Sequence, residues 1–104
     1  MRREAFKMYL NEGQKEEYEK RHNEIWPELK RLLKEAGVSE YSIFHDQESN
    51  TLFAVQKVSD EVHPQDLSQN PIMKKWWVFM AGIMKVNPDN SPVVVPLKEV
   101  FYLK

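Results

Sequence analysis

The chain is organised around residues 18–29, which read Tyr18-Glu19-Lys20-Arg21-His22-Asn23-Glu24-Ile25-Trp26-Pro27-Glu28-Leu29. At about 3.6 residues per turn, Tyr18 and His22 lie one turn apart on the same side of a helix. An apolar stripe continues that side at spacings of three and four, through Ile25, Trp26, Leu29, Leu32, Leu33 and Ala36. The helix face that should pack against a core therefore begins with two side chains that can exchange protons.

Pro27 lies inside this helical pattern, where it lacks an N–H and crowds the carbonyl of Asn23. The residue before a proline also avoids helical backbone. We expect a break or kink between His22 and Trp26, with Pro27 opening a second helical piece. The break would leave room for a ligand beside His22, although an ordinary proline kink is the simpler interpretation of this one residue.

The composition favours one soluble domain that spans residues 1–104. Its 41% hydrophobic and 12% aromatic residues are enough for a single core. Fifteen basic and sixteen acidic side chains are interspersed, so the chain has no concentrated basic face for nucleic acid. No window approaches the ~18 apolar residues of a membrane span, no signal peptide is present, and cysteine is absent. We expect a cytoplasmic protein.

Three stretches alternate with a period of two residues, which predicts strands. They are Glu4–Leu10, Val38–Asp46 and Thr51–Val58. The second and third read as a β-hairpin across the polar turn at residues 47–50. A closing strand is predicted at Lys98–Leu103, because Pro96 should end the β-branched run that precedes it.

A second helix is predicted to begin at Asn70-Pro71, with the asparagine as cap and the proline in the first helical position. Apolar residues then repeat at helical spacing: Ile72, Met73, Trp76, Trp77, Met80, Ile83 and Met84. Residues 59–69 are polar and lack periodicity, so we expect a loop there that contains a helical turn.

The order strand, helix, strand, strand, helix, strand predicts an α+β fold of the ferredoxin-like βαββαβ type. In that plan an antiparallel sheet carries two main helices on one face. Apolar residues populate both faces of several strands, although the helices cover only one side. We therefore predict a homodimer that associates through the sheets.

The pattern of chemically active residues argues against a metal site. The three histidines, His22, His45 and His63, belong to different elements, and no cysteine accompanies them. No glycine-rich phosphate loop and no strained serine turn is present. Acid–base chemistry by His22 and nearby phenols remains, because imidazole titrates close to neutral pH.

Each candidate taken singly is more often a packing residue than a functional one, and this holds for His22, Tyr18 and Tyr41. Trp76 and Trp77 are about 100° apart on a helix, so both cannot face one core. We expect one of the two indoles to line something other than the core. Tryptophan faces are good platforms for the C–H faces of sugars. The residues alone thus predict a pocket with aromatic walls and one titratable group.

Several motifs of this chain resemble those of the L-rhamnose mutarotase family. They are Arg21–Leu29, Tyr41–Phe44, Leu52–Ala54, Trp76-Trp77, Asn87–Pro92 and Glu99–Leu103. The motifs follow one another in the family's order over nearly the whole chain, which is far more specific than one short pattern. The resemblance implies a dimeric α/β barrel of the ferredoxin-like kind.

The resemblance also implies an isomerase that interconverts the α and β anomers of L-rhamnose without a cofactor. Matched position by position, His22 would be the proton donor. The residues that would contact the sugar are Tyr18, Tyr41, Trp76 and Trp77. Two alternatives remain at this point: a non-catalytic module that binds or senses a small sugar, and a haem-degrading or cofactor-free monooxygenase of the same fold class.

Overall fold

The fold, taken from a computed structural model, is described for residues 1–60 and 64–104. Its elements are β1 (Arg2–Tyr9), α1 (Lys15–Asn23), α2 (Pro27–Glu35), β2 (Val38–Asp46), β3 (Thr51–Val58), a 3-10 helix (Pro64–Gln69), α3 (Pro71–Met80) and β4 (Val95–Leu97). The 3-10 helix is the helical turn expected in the loop before α3. His63 lies outside the described residues. Within them, no helix is long and apolar enough to cross a membrane.

One antiparallel sheet contains the strands in the order β2-β3-β1-β4. β3 pairs with β1 along its whole length, from Arg2 opposite Val58 to Tyr9 opposite Thr51. β2 and β3 form the hairpin that the alternation predicted. This order confirms the ferredoxin-like βαββαβ fold class, with the first helix divided into α1 and α2.

The helix break at Pro27 is present as predicted. α1 ends at Asn23 and α2 begins at Pro27. Between them Trp26 has extended backbone, with φ of −61° and ψ of 132°. The cause is local, because the proline ring crowds helical backbone in the residue before it. α2 is therefore a separate helix that begins five residues after His22.

The core lies between the helices and the sheet face that carries Met8 of β1, which we call the inner face. Leu29 of α2 and Leu52 of β3 are each 1% exposed, and Ala54 is fully buried. Met73, Trp76 and Met80 of α3 join the same cluster. The remaining members of this buried cluster are Met8, Leu10, Tyr18, Ile83 and Met84. The stripe that follows His22 therefore supplies core residues, as its spacing indicated.

The second main helix starts where the sequence predicts it but stops earlier than the apolar repeat suggests. The Asn70 side chain accepts a 2.8 Å hydrogen bond from the N–H of Ile72, and Pro71 opens the helix. α3 ends at Met80, whereas Ile83 and Met84 lie beyond it. Both are nonetheless buried, because the chain turns back over the core at this point. Ile83 and Met84 are therefore apolar because they are buried in the core, and not because the helix continues through them.

The predicted closing strand at Lys98–Leu103 is wrong. The last strand is Val95–Leu97, and its Pro96 lies opposite Phe6 of β1. A proline is tolerated there because β4 is an edge strand, so its missing N–H need not serve a second neighbour. Residues 98–104 form no regular element, and Phe101 is 78% exposed. Val95–Leu97 takes the edge of β1, so the strand-like pattern of Lys98–Leu103 has no place beside that strand.

Candidate functional site

A cavity of about 320 Å³ lies between the inner face of the sheet and the helices. The five side chains selected from the sequence all line it: Tyr18, His22, Tyr41, Trp76 and Trp77. Its volume falls within the roughly 300–1,000 Å³ of small-molecule sites. A more open groove of about 790 Å³ shares the first three of these side chains but has neither indole in its wall. We take the smaller cavity as the candidate site because it collects all five.

His22 is held in one tautomer by its own helix. Its Nδ1 lies 3.0 Å from the carbonyl oxygen of Tyr18, one turn earlier in α1. A carbonyl oxygen can only accept, so Nδ1 carries the proton and Nε2 of the neutral ring is an acceptor. Nε2 has no hydrogen-bond partner among the described residues and is not sealed from the cavity. The free nitrogen is therefore the one available to a ligand.

The protonation state of His22 follows from its surroundings. Burial lowers the pKa of His22 below its ordinary value of 6.5, although the hydrogen bond to the Tyr18 carbonyl acts in the opposite direction. Burial dominates because the low-dielectric site destabilises the imidazolium. At neutral pH the imidazole is thus mostly uncharged, with a lone pair on Nε2.

Tyr18 and Tyr41 bring two phenols to the cavity from α1 and β2. Burial raises the pKa of Tyr41 to about 12, although 39% of the residue surface stays exposed. Burial also raises the pKa of Tyr18, with a further contribution from nearby Tyr41. Both phenols remain protonated at neutral pH. Among the described residues neither hydroxyl has a partner, so both can donate to and accept from a ligand.

The imidazole is packed between aromatic rings. The ring centroids of Tyr18 and His22 are 4.3 Å apart, and the edge of Trp76 meets the imidazole at 5.5 Å and 87°. Trp26 in turn packs on Trp76 at 5.2 Å. These contacts restrict rotation of the His22 ring. A fixed ring keeps Nε2 at one position in the cavity, which acid–base chemistry requires.

The two adjacent indoles play different structural parts. Trp76 is 8% exposed and belongs to the core cluster. Trp77 is half-buried and packs against the edge of that cluster. Both contribute to the cavity wall, because the cavity lies at the boundary of the core. The expectation that one indole would lie outside the core therefore applies to Trp77.

Arg21 ties the end of α1 to the end of α3. It donates from Nη1 to the Phe79 carbonyl at 2.6 Å and from Nε to the Glu17 carboxylate at 2.7 Å. Its guanidinium also lies 4.4 Å from the centre of the Phe79 ring, and that ring contacts Trp76. The spacing of Glu17 and Arg21 indicates an ion pair within the helix. The contact with Phe79 links distant segments, and nothing in the local sequence signals it.

Three polar residues of the cavity wall were not selected from the sequence as site residues: Gln56 on β3, Ser68 in the 3-10 helix and Asn90 in the turn after α3. Asn90 has left-handed backbone with φ of 70°, a conformation that asparagine tolerates better than most residues. The sequence pattern of β3 could have identified Gln56 as a candidate site residue. It is the polar member of the inner-face row of β3, which otherwise contains Leu52, Ala54 and Val58.

Comparison with known proteins points to one family. A family model described as L-rhamnose mutarotase matches residues 3–103. An L-rhamnose mutarotase of Formosa agariphila is 66% identical over 104 residues, 100% of both chains. One from Bacteroides thetaiotaomicron is 61% identical over 103 residues, 99% of both chains. The crystal structure of an L-rhamnose mutarotase from Formosa agariphila is similar with a TM-score of 0.94 and 64% identity, and covers 100% of both chains.

Proposed function

This chain belongs to the L-rhamnose mutarotase family, and we propose that it interconverts the α and β anomers of L-rhamnose with His22 as the proton donor. The observation that carries the proposal is the cavity that collects His22, two protonated phenols and two indoles. Mutarotation requires a proton to leave one sugar oxygen and another to reach its neighbour. A positioned imidazole can both accept and donate a proton, so it is suited to both transfers.

The proposed reaction begins with the neutral ring. Nε2 of His22 takes the proton of the anomeric hydroxyl as the bond between the anomeric carbon and the ring oxygen breaks. The resulting imidazolium donates that proton to the ring oxygen, which leaves an open-chain aldehyde and a neutral His22. Rotation of the aldehyde and reversal of the same steps close the ring on the other face. His22 returns every proton that it takes from the sugar, so no atoms are gained or lost.

The remaining walls suit the binding of a sugar. The hydroxyls of Tyr18 and Tyr41 can hold the ring hydroxyls in place. Trp76 and Trp77 can lie against the C–H faces of the ring. The apolar part of the cavity suits the methyl group of a 6-deoxy sugar. One apolar group discriminates by only ~1–3 kcal/mol, so we expect some activity on related sugars.

The test of this function is anomer exchange in an equilibrated solution of L-rhamnose, followed by saturation-transfer NMR. The protein should raise the exchange rate in proportion to its concentration. L-rhamnose binding without faster exchange would instead identify a binding or sensing module. If the protein neither bound L-rhamnose nor raised the exchange rate, the assignment of this cavity to the sugar would be overturned.

The pH dependence of kcat/KM should carry the signature of His22. The active form is the neutral imidazole, and burial lowers its pKa below 6.5. Activity should therefore be constant above pH 6.5 and fall as the pH drops through the lowered pKa, because protonation removes the acceptor at Nε2. NMR exchange rates corrected for the uncatalysed reaction give the profile. A rate that rises as the pH falls would show that imidazolium is the starting form.

We further propose that two copies associate through the outer face of the sheet, the face opposite the helices. Register places Phe44 of β2 beside Phe53 of β3 on this face, and Val95 beside Lys7. Phe44 is 63% exposed and Val95 is 37% exposed. Apart from Lys7, these side chains are apolar, and an apolar patch on an uncovered sheet favours a self-complementary contact. A second copy would cover it.

Glutamate in place of Phe44 should dissociate the dimer, because it places a charge within the proposed apolar contact. The wild-type protein should sediment at twice the 12.4 kDa chain mass and Phe44→Glu at that mass. Val78→Glu is a matched control, since Val78 is 62% exposed on α3, away from the outer face. A wild-type monomer, or dissociation by both substitutions alike, would contradict the proposed contact.

A further inference from the structure

Gln56 is a buried amide in a row of apolar side chains. It lies on the inner face of β3, one of the two central strands, between the fully buried Ala54 and Val58. Only 9% of Gln56 is exposed, and its side chain lines the candidate cavity. Burying an amide among apolar groups costs free energy unless hydrogen bonds compensate. A leucine or valine would suit this place better if packing were the sole requirement.

The orientation of the Gln56 amide is determined by Glu4, which lies directly opposite on β1. Nε2 of Gln56 donates to Oε1 of Glu4 at 3.2 Å. An ionised carboxylate can only accept, so the amide must turn its nitrogen toward Glu4 and its oxygen away. The carboxylate is itself held, because its other oxygen accepts from Nε of Arg2 at 3.1 Å. The amide therefore has one defined orientation.

The Gln56 oxygen is consequently available to a ligand. Oε1 accepts no hydrogen bond from the described residues. Within the described part of the chain, every fully enclosed side-chain oxygen or nitrogen has a hydrogen-bond partner. Because Oε1 of Gln56 has none, it must be accessible from open space. The open space that Gln56 adjoins is the cavity that also contains His22. The Gln56 oxygen is thus a hydrogen-bond acceptor without a partner at the edge of the site, and the Glu4–Arg2 ion pair fixes the orientation of its amide.

We propose that Gln56 is a further substrate-binding residue, whose Oε1 accepts a hydrogen bond from one ring hydroxyl of the sugar. This inference rests on the proposed function and deepens it. The indoles and apolar walls contact C–H groups and cannot distinguish hydroxyl stereochemistry. An acceptor with a fixed direction can distinguish hydroxyl stereochemistry. A sugar that lacks the hydroxyl at that position leaves a buried oxygen unpaired. Gln56 would therefore contribute to selection among 6-deoxy sugars.

The experiment compares wild type with Gln56→Met, which keeps the length of the side chain and removes the acceptor. Binding is measured by isothermal titration with L-rhamnose and with monodeoxy derivatives that lack each non-anomeric ring hydroxyl in turn. The variant should bind L-rhamnose about 10-fold to 100-fold more weakly. One monodeoxy sugar should bind wild type and variant equally. KM should rise in NMR exchange assays while kcat changes little.

Two further variants keep the test decisive. Gln47→Met makes the same change in the exposed hairpin turn and should retain wild-type affinity. Gln56→Asn keeps an amide in the core but withdraws its oxygen, and should also lose discrimination among the monodeoxy sugars. Variants of Gln56 that discriminate among these sugars as wild type does would overturn the inference.

The role of Glu4 is tested by a double-mutant cycle. Glu4→Gln should weaken L-rhamnose binding in the wild-type background but not in Gln56→Met, because Glu4 acts through the amide. Additive effects would overturn the proposed orientation. The outcomes also separate this inference from the proposed function: Gln56-dependent selectivity without faster anomer exchange would support the binding role alone. Faster exchange with unchanged selectivity would support only the enzyme.

Discussion

Anomer exchange should fall by about 10²-fold to 10⁴-fold when His22 is replaced by alanine, which is the usual contribution of a positioned general acid–base group. The loss should appear mainly in kcat, because the phenols and indoles that would bind the sugar remain. His22 contacts Tyr18 and Trp76 through its ring, so some packing is also lost. Thermal unfolding of the variant therefore accompanies the NMR exchange measurement.

His45→Ala is the matched control for this prediction. His45 lies on β2, its Nε2 is 3.2 Å from the Asn50 side chain, and it borders the larger groove rather than the candidate cavity. The same change of residue type should leave the exchange rate near that of wild type. Full activity in His22→Ala, with a folded protein, would remove His22 from the proposed role of proton donor.

Trp76→Ala and Trp77→Ala should separate stability from sugar binding. Trp76 is 8% exposed and contacts His22, Trp26 and Phe79. Its truncation should lower the free energy of unfolding by ~3–5 kcal/mol, as is usual for a buried aromatic residue. That is a large fraction of the ~5–15 kcal/mol that holds a small domain folded. Trp77 is half-buried, so its truncation should cost less stability.

Urea unfolding and KM for L-rhamnose measure the two effects. Trp77→Ala should raise KM while the unfolding midpoint changes little. Trp76→Ala should lower the midpoint strongly, and Trp76→Phe should recover most of it, because a phenyl ring refills part of the space. Equal losses of stability in the two alanine variants would contradict the different burial of these adjacent indoles.

Short-range sequence signals predicted the local features correctly. The break before Pro27 and the start of α3 at Asn70-Pro71 depend on backbone rules that act over a few residues. Such features are readable in one sequence because their causes lie within one turn of the chain.

The misplaced last strand shows where this reasoning stops. The alternation of Lys98–Leu103 satisfies strand propensity, but a strand also needs a partner with a free edge. Val95–Leu97 occupies the edge of β1 instead, although Pro96 argued against a strand there. Propensity is a property of a segment, whereas pairing is a property of two segments. The error arose from that difference.

The sequence by itself determined the order of elements, the helix break beside His22 and the family, and it supplied the five positions proposed to bind the sugar. The tertiary structure alone decided that those positions share one cavity, that burial lowers the pKa of His22, and that the Gln56 amide nitrogen donates to Glu4. Helix caps and breaks follow from neighbouring residues. Burial, strand register and the direction of a buried amide depend on residues far apart in the chain, and these become neighbours only when the chain folds.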